Sequence, residues 1–290
     1  MIGGTSHNTA GAVMIIISSG LYVIMGWHAA VMIAYDGREF TGSQRQPDKK
    51  TVEDECIRAL KKIHAIESVR DSRFRTASRT DRGVSALCNV VVFETGFKQD
   101  QLLQALNAAS EKVYFYAYAE VGSDFSPRKA KQRWYRYFLA YEKGMDLDKM
   151  DRAAQEFVGK HDFKRFCKAE GRISEKKIDS ITLTRLGDIV VIDLKGREFL
   201  RNMVRRIVAA LVSASDGSCS LQDVRDALNG RDVSFGLAPA ERLVLMQVEY
   251  AIDFIEACPP TLERKTREKR SEKMIELLFY DSLSARCGLD

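Results

Sequence analysis

Apolar residues recur along this chain with two different spacings, and each spacing predicts its own kind of element. After Thr51, the residues Val52, Cys56 and Leu60 lie one helical turn apart. This spacing predicts an amphipathic helix with an N-terminal cap at Thr51. From residue 133 to 141, every second position from Tyr135 carries a large apolar or aromatic side chain (Tyr135, Tyr137, Leu139 and Tyr141), which predicts a strand with these side chains on one face.

The predicted elements of the first half form a β-α-β-β-α-β series, which is the order of a ferredoxin-like fold. Residues 30–130 are expected to form this half. Its segments are a strand at 31–35, the helix after Thr51, strands at 74–78 and 87–93, a helix at 99–109 and a strand at 113–121.

A similar series follows in residues 131–258. The sequence therefore predicts an α+β fold made of two ferredoxin-like (β-α-β-β-α-β) halves with a central cleft between them. The segments of the second half are a strand at 133–141, a helix capped by Asp146 that ends at 158, strands at 178–186 and 189–194, helices at 199–213 and 221–228, and a strand at 243–250.

The start of the chain has a different composition from the rest. The first 35 residues contain no Lys, Arg, Asp or Glu, and residues 12–34 are largely apolar. Such a run is long enough to cross a bilayer, but it lacks the basic flank of a signal peptide or an oriented span. We interpret residues 1–29 as an apolar extension in which residues 1–24 lie outside the fold. A membrane anchor is the alternative, and membrane association is not expected.

The end of the chain, residues 259–290, is expected to be a charged helix. Pro259 and Pro260 interrupt the preceding segment, and charges of both signs follow at helical spacing. Mixed charge of this kind is typical of a solvated helix face. The apolar residues 274–279 are expected to dock against the body of the protein.

Charge is distributed unevenly along the chain. The net charge is only +5, which fits an anionic partner but also many ordinary enzymes. Two local clusters, at 128–136 and 195–206, combine basic residues with Trp, Tyr and Phe. Cations bind phosphates and rings stack on bases, so the clusters suit nucleic acid. A solvated basic face with buried aromatics is the alternative.

Cysteine and glycine spacing indicates no cofactor and no metal. The six cysteines are scattered without a Cys-x-x-Cys pair, so no zinc spacing is present. No phosphate-binding glycine loop or dinucleotide fingerprint occurs. Unpaired thiols suit a reducing, cytoplasmic location. Cys88 and Cys167 are candidate nucleophiles, although their apolar surroundings favour a place in the core.

Asp81 is the principal candidate for chemistry. It lies between Arg79 and Arg82 and is followed by Gly83, so one carboxylate has two cations beside it. A simple surface turn has the same residues, because Asp can hydrogen-bond its own backbone and Gly accepts a positive φ.

Six blocks in order, spanning roughly residues 30 to 251, resemble the TruA-type tRNA pseudouridine synthases, in particular their archaeal and eukaryotic-like branch. Ser43 and Ser85 stand where the bacterial pattern has Trp and His. The blocks begin with Tyr35-Asp36-Gly37 and Arg79-Thr80-Asp81-Arg82-Gly83, continue with Phe125-Ser126-Pro127-Arg128, Arg133-Trp134-Tyr135-Arg136-Tyr137 and Gly159-Lys160-His161-Asp162-Phe163, and include Phe199-Leu200-Arg201-Asn202-Met203-Val204-Arg205, with a further likeness from Ala238 to Leu245.

The resemblance implies roles for three catalytic residues. Asp81 would be the catalytic carboxylate, and attack on C1′, attack on C6 and abstraction of a sugar proton all stay open for it. Arg205 would pair with Asp81 and keep it ionised, since a buried carboxylate without a cation is driven towards neutrality. Tyr135 would stack on the uracil and assist removal of the C5 proton.

The resemblance also implies an RNA substrate whose target base leaves the stack. The expected target is a uridine of the tRNA anticodon stem-loop at position 38, 39 or 40, and the expected assembly is a homodimer. Other RNA sites and a non-catalytic RNA-binding role are the alternatives. Arg201 is expected one helical turn before Arg205, facing RNA. The expected RNA-binding residues are Arg79, Arg82, Gln44, Arg128 and Arg201.

Overall fold

The computed structural model describes residues 12–17 and 20–288 of the chain. Within these residues, six α-helices accompany a large, mostly antiparallel sheet, which is a mixed α+β architecture. The helices are α1 (Val52–Lys62), α2 (Gln99–Ala109), α3 (Leu147–Gln155), α4 (Met203–Ser215), α5 (Leu221–Leu228) and α6 (Pro260–Cys287). The strands are β1 (Ala12–Ile17), β2 (Gly20–Met25), β3 (Trp27–Tyr35), β4 (Arg75–Thr76), β5 (Ser85–Thr95), β6 (Val113–Val121), β7 (Gln132–Ala140), β8 (Gly159–Asp162), β9 (Glu175–Leu186), β10 (Ile189–Gly196), β11 (Leu243–Glu249) and β12 (Ile255–Glu256).

Ten strands form one sheet in the order β12-β6-β3-β5-β11-β7-β10-β9-β8, with β4 beside β5. Strands from the first part of the chain occupy one side of the sheet and strands from the second part occupy the other, except that β12 pairs with β6 at the first-half edge. The two sides meet where β11 pairs with β5, with Val244 opposite Ser85 and Leu245 opposite Ala86. This pairing is parallel, whereas the other pairings among the described strands of the sheet are antiparallel.

Local sequence signals account for the helices that cover the sheet. The Thr51 side chain accepts a hydrogen bond from the Asp54 N–H and caps α1, as predicted. Val52, Cys56 and Leu60 are buried on the sheet side of that helix. Asp146 caps α3 in the same way through the Lys149 N–H. One face of each helix therefore completes a core shared with the sheet.

The helix expected at 199–213 begins later than predicted. α4 starts at Met203, because Asn202 has a left-handed backbone (φ 63°) that cannot belong to an α-helix. Just before it, the Lys168 N–H donates to the Arg201 carbonyl at 2.9 Å. Arg201 therefore lies on an extended segment and not one helical turn before Arg205, so that part of the prediction is wrong.

The start of the chain differs in part from the expectation. β3 begins at Trp27, which is buried, three residues before the expected boundary at residue 30. β1 and β2 pair with each other in a separate two-stranded sheet. Residues 1–11 and 18–19 of the predicted extension lie outside the described residues. No helix in residues 12–17 and 20–288 has the length and apolarity needed to span a membrane.

The end of the chain forms the expected exposed helix, α6. However, Met274 is 46% exposed and Phe279 is 63% exposed. The prediction that residues 274–279 dock against the body is therefore wrong. The buried contacts of α6 lie near its start, where Leu262 is buried and the Lys265 ammonium donates to the Asn107 carbonyl at 2.6 Å.

Candidate active site

The loop that carries Asp81 leads into β5 at the junction of the two sides of the sheet. A turn closes where the Val84 N–H donates to the Asp81 carbonyl at 3.1 Å. Gly83 in this turn has a φ of 87°, and a Cβ there would lie 2.9 Å from the Glu241 carboxylate. The positive φ therefore favours glycine directly after the Asp81-Arg82 pair, whereas the flexible Glu241 side chain could move away from a Cβ.

Buried hydrogen bonds fix the backbone of this loop against the core. The Thr80 N–H donates to Ser43 Oγ at 2.7 Å, and the Ser43 N–H donates to the Thr80 carbonyl at 3.1 Å. The Thr80 hydroxyl shares a hydrogen bond of 2.9 Å with the Tyr35 hydroxyl. Asn89 reaches the same loop, because its side-chain N–H donates to the Ser78 carbonyl at 2.9 Å. Asp81 thus follows a residue whose backbone is fixed on both sides.

The segment 35–43 and the Asp81 loop form one tightly fitted unit. Gly37 approaches so closely that a Cβ there would lie 2.2 Å from the Val84 carbonyl group. Its N–H donates to the Ser85 hydroxyl at 3.0 Å. Ser43 and Ser85, the two departures from the bacterial pattern, both take part in fixing this unit.

Two arginines from the second half approach the Asp81 carboxylate. Arg205 Nη1 lies 3.7 Å from one Asp81 oxygen, and Arg201 Nε lies 3.8 Å from the other. The Arg205 side chain is 15% exposed and that of Arg201 is 54% exposed. Arg205 is also anchored, because its Nε donates to the Ala238 carbonyl at 2.6 Å. Asp81 therefore has one fixed cation and one exposed cation.

Arg201 has a second carboxylate partner. Its Nη1 donates to the Glu170 carboxylate at 2.6 Å, and this hydrogen bond lowers the pKa of Glu170. Glu170 has a left-handed backbone, with a φ of 50°. Such a conformation is uncommon for a residue other than glycine. Glu170 thus occupies donors of Arg201 that face the cleft.

Tyr135 lies beside the carboxylate and is almost fully buried. Its ring meets Phe199 edge-on, with 5.1 Å between centroids. Burial raises its pKa to about 12, with the positive charge of Arg133 acting in the opposite direction and the negative charge of Asp81 adding to the rise. The phenol is therefore neutral over the physiological pH range.

One cleft of about 1010 Å³ collects residues from both halves. All eight predicted site residues line it, although the sequence separates the first and the last of them by more than 150 positions. Arg79, Arg82, Gln44 and Arg128 are exposed, whereas Tyr135 is buried. The roles of all eight residues in catalysis or RNA binding stay predictions. The lining residues named in advance are Gln44, Arg79, Asp81, Arg82, Arg128, Tyr135, Arg201 and Arg205.

The residues that hold the Asp81 loop and the walls of the cleft in place were not predicted from the sequence. Ser43 was recognised only as a departure from the family pattern, and Glu170 was not singled out. Arg133 was one member of a basic cluster, yet it is 7% exposed and lines the cleft. Its place directly before Trp134 and Tyr135 on an alternating strand was the available signal, since that alternation puts it on the same face as Tyr135.

The alternative nucleophiles lie away from this arrangement. Cys88 and Cys167 are buried, and burial raises the pKa of both thiols, which lowers their reactivity. Neither lines the cleft. In the part of the chain that the structure describes, no group of three or more His, Cys, Asp or Glu side chains is arranged to hold a metal ion.

A single carboxylate between two guanidinium groups, in an open cleft lined with further arginines, defines a site suited to a polyanionic substrate. A family model described as tRNA pseudouridine synthase matches residues 153–251. The tRNA pseudouridine synthase A of Thermococcus sibiricus is 41% identical over 242 residues, which cover 82% of this chain and 91% of the relative.

Two further archaeal relatives, also named tRNA pseudouridine synthase A, match over similar lengths. The protein of Thermococcus gammatolerans is 40% identical over 90% of this chain and 96% of its own length. That of Pyrococcus horikoshii is 38% identical over 83% of this chain and 94% of its own length. The chain belongs to the tRNA pseudouridine synthase family, and its enzyme class is that of an isomerase.

Proposed function

We propose that this protein converts uridine to pseudouridine in tRNA, with Asp81 as the catalytic carboxylate. The observation that carries the proposal is the position of Asp81, 3.7 Å from Arg205 and 3.8 Å from Arg201 in a cleft between the two halves. We further propose that the target lies at position 38, 39 or 40 of the anticodon stem-loop. Family membership supports the reaction, and the resemblance of the six blocks supports the target.

The reaction is an isomerisation and needs no external reagent. The bond between uracil N1 and ribose C1′ breaks, the base turns, and a bond forms between C5 and C1′. The C5 proton then leaves and N1 acquires one. An ionised carboxylate in a largely dry site can act covalently on the sugar or the base. Arg205, which is mostly buried, places a positive charge 3.7 Å from the Asp81 carboxylate.

Tyr135 is proposed to contact the turned base. Its buried ring forms one wall of the cleft beside Phe199, so a uracil placed over Asp81 would meet an aromatic surface. Because its pKa is raised to about 12, the hydroxyl is a hydrogen-bond donor at neutral pH. It would take up the C5 proton on its oxygen while giving its own proton to water that enters the open cleft, and would thereby stay neutral.

The exposed cations around the opening are proposed to bind the RNA backbone. A uridine in a stem must leave the helix to reach Asp81, and that unstacking costs a few kcal/mol. Phosphate contacts offset this cost, since each neutralised phosphate releases a condensed cation. The cations proposed for this role are Arg79, Arg82, Arg128 and Arg201, and the neutral Gln44 is proposed to hydrogen-bond the RNA beside them; all five line the cleft.

We propose that residues 30–130 and 131–258 are two ferredoxin-like halves, with residues 259–290 as an added charged helix. The strand orders support this division. When the edge strands β8 and β12 are left out, β6-β3-β5-β4 and β11-β7-β10-β9 both follow the chain order fourth, first, third, second. We also propose a cytoplasmic homodimer. The free cysteines support the cytoplasmic location, where thiols stay reduced. The exposed apolar residues of α6 support the homodimer, since such patches often mark contact surfaces.

The experiment is incubation of the purified protein with a tRNA transcript tritiated at uracil C5. We expect release of tritium and a pseudouridine that maps to position 38, 39 or 40. Release with a product elsewhere would favour another RNA site in the same reaction. Binding of tRNA without release under single-turnover conditions would contradict the enzymatic proposal and favour the non-catalytic alternative.

A further inference from the structure

Arg133 is a buried cation that forms no ion pair within the described chain, although its charge, after that of Lys176, helps to lower the pKa of Glu198. Its side chain is 7% exposed, and no Asp or Glu of the described chain lies within 4 Å of its guanidinium. Removing a charge from water without pairing it is costly. Folded proteins seldom carry this cost without a use for the group, so Arg133 calls for an explanation beyond surface solvation.

Neutral oxygens satisfy the Arg133 guanidinium instead. Nε donates to Ser78 Oγ at 3.0 Å, and Nη2 donates to the carbonyls of Ala77 at 3.3 Å and Arg128 at 3.1 Å. Nη1 donates to the Arg197 carbonyl at 2.5 Å. These oxygens complete the hydrogen bonding but do not neutralise the charge.

The four acceptors belong to three separate segments that form the cleft. Ala77 and Ser78 begin the loop that carries Asp81. Arg128 lies in the connection between the halves, and Arg197 lies in the segment that leads to Phe199 and Arg201. The Arg133 side chain therefore joins three parts of the cleft. These are the Asp81 loop, which forms the first-half wall, the connection between the halves, and the segment before Phe199, which forms the second-half wall.

The position of Arg133 on β7 links this junction to the reacting groups. Arg133 and Tyr135 are two residues apart on the same strand and share a face, so the guanidinium lies at the floor of the cleft. Burial raises the pKa of Tyr135, and the charge of Arg133 acts in the opposite direction, in keeping with the short separation of the two side chains.

We propose that Arg133 is a positioning residue that fixes the two walls of the cleft at the separation where Asp81 faces Arg205. This inference rests on the proposed function. The fixed fork of a guanidinium can reach three segments at once, whereas a lysine ammonium is a point charge on a flexible stem. Lysine at this position would keep the charge but lose most of the junction.

The test compares Arg133→Lys and Arg133→Ala with the wild-type enzyme in the tritium-release assay. Arg225→Lys and Arg225→Ala are matched controls, because Arg225 makes two hydrogen bonds to Glu156 on the exposed surface, away from the cleft. We expect Arg133→Lys to lower kcat by about 10- to 100-fold, as expected when reacting groups move by about 1 Å. The KM for tRNA should change by less than about threefold, since the exposed phosphate-binding residues are untouched.

Chemical rescue separates positioning from loss of structure. Removal of the side chain in Arg133→Ala leaves room for a guanidinium ion among the same four oxygens. Added guanidinium at a non-denaturing, millimolar concentration should raise the kcat of Arg133→Ala at least tenfold. Urea, which has a similar shape but no charge, should raise it less. If Arg133→Ala is not recovered folded, the kcat and KM of Arg133→Lys decide the question.

Wild-type kcat in Arg133→Lys, or a loss confined to KM, would overturn the proposal. Failure of guanidinium to raise kcat in a folded Arg133→Ala enzyme would also overturn it, because refilling the junction would then not reposition the walls. Failure of the wild-type enzyme to release tritium would instead contradict the proposed function. The two failures are therefore distinguishable within one set of assays.

Discussion

The Arg205 guanidinium lies 3.7 Å from the Asp81 carboxylate, and the two residues come from opposite sides of the sheet. Asp81 lies before β5, whereas Arg205 lies in the first turn and a half of α4. The parallel pairing of β11 with β5 holds these elements together. The charge pair therefore exists only when both halves of the chain are folded against each other.

Removal of Arg205 should affect catalysis more than removal of Arg201. The Arg205 side chain is 15% exposed and that of Arg201 is 54% exposed, so solvent screens the second interaction more strongly. We expect Arg205→Met to lower kcat by about 100-fold or more. Arg201→Met should chiefly weaken tRNA binding and reduce its salt dependence by about one counterion. Single-turnover rates and binding titrations at several salt concentrations measure both effects, and equal losses of kcat would contradict the distinction.

Glu170 should act against RNA binding, because it occupies donors of Arg201 at 2.6 Å. Glu170→Gln removes a negative charge from the cleft and frees Arg201 for a phosphate. We expect tRNA to bind about two- to fivefold more tightly at low salt, in keeping with the small energy of an exposed ion pair, and with a steeper dependence on salt. A filter-binding series over salt concentration is the measurement. Weaker binding would show that Glu170 instead holds Arg201 in its binding position.

Gly37 should tolerate no side chain. A Cβ there would lie 2.2 Å from the Val84 carbonyl group, which is backbone and cannot move without displacing the Asp81 loop. We expect Gly37→Ala to lower the free energy of unfolding by about 1–3 kcal/mol and to reduce kcat sharply. Gly122→Ala is the control, because its nearest neighbour is the flexible Asp124 carboxylate.

Chemical denaturation and the tritium assay together test this pair of variants. Gly122→Ala should keep both the stability and the rate of the wild-type enzyme. Equal behaviour of the two alanine variants would mean that the close approach of Gly37 to the loop has no functional consequence.

Tyr135 should make stability depend on pH in the alkaline range. Its pKa is raised from 10.0 to about 12 by burial, so the unfolded chain loses this proton at lower pH than the folded chain. The unfolded state then binds fewer protons, and the free energy of unfolding falls as pH rises from about 10 to 12. The contribution of Tyr135 is fully present below pH 10 and amounts to about 2–3 kcal/mol.

Tyr135→Phe isolates this contribution, since the other tyrosines are the same in both proteins. Denaturation of the two proteins at pH 9, 10 and 11 should give a difference in unfolding free energy that shifts in favour of the variant as pH rises. A difference that stays constant over this range would contradict the burial of a neutral Tyr135 hydroxyl.

Elements with strong local signals could be predicted with their bounds. α2 at Gln99–Ala109, α5 at Leu221–Leu228 and β6 at Val113–Val121 begin and end at the predicted residues. For α5 the reason is visible in the sequence, because Ser220 and Asp223 form a complete capping box. Such hydrogen bonds join residues three apart and need no information from the rest of the fold.

Features that depend on distant partners could not be predicted in this way. The late start of α4 at Met203 follows from the bridge between Lys168 and Arg201, and nothing near Phe199 signals that contact. The bonds between Ser43 and Thr80, and those from Arg133 to three segments, likewise join residues far apart in the chain. The order of the motifs therefore identified residues that line the cleft. The residues that hold them in place, such as Ser43 and Arg133, became visible only in the structure.

The most direct test of the central claim compares wild type with Asp81→Asn in single-turnover tritium release, alongside a tRNA binding titration. Asn has the size of Asp but no negative charge. We predict that the variant binds tRNA with at least wild-type affinity, because the cleft becomes more positive, and releases no tritium above background. Release by Asp81→Asn at the wild-type rate would contradict the assignment of Asp81 as the catalytic carboxylate.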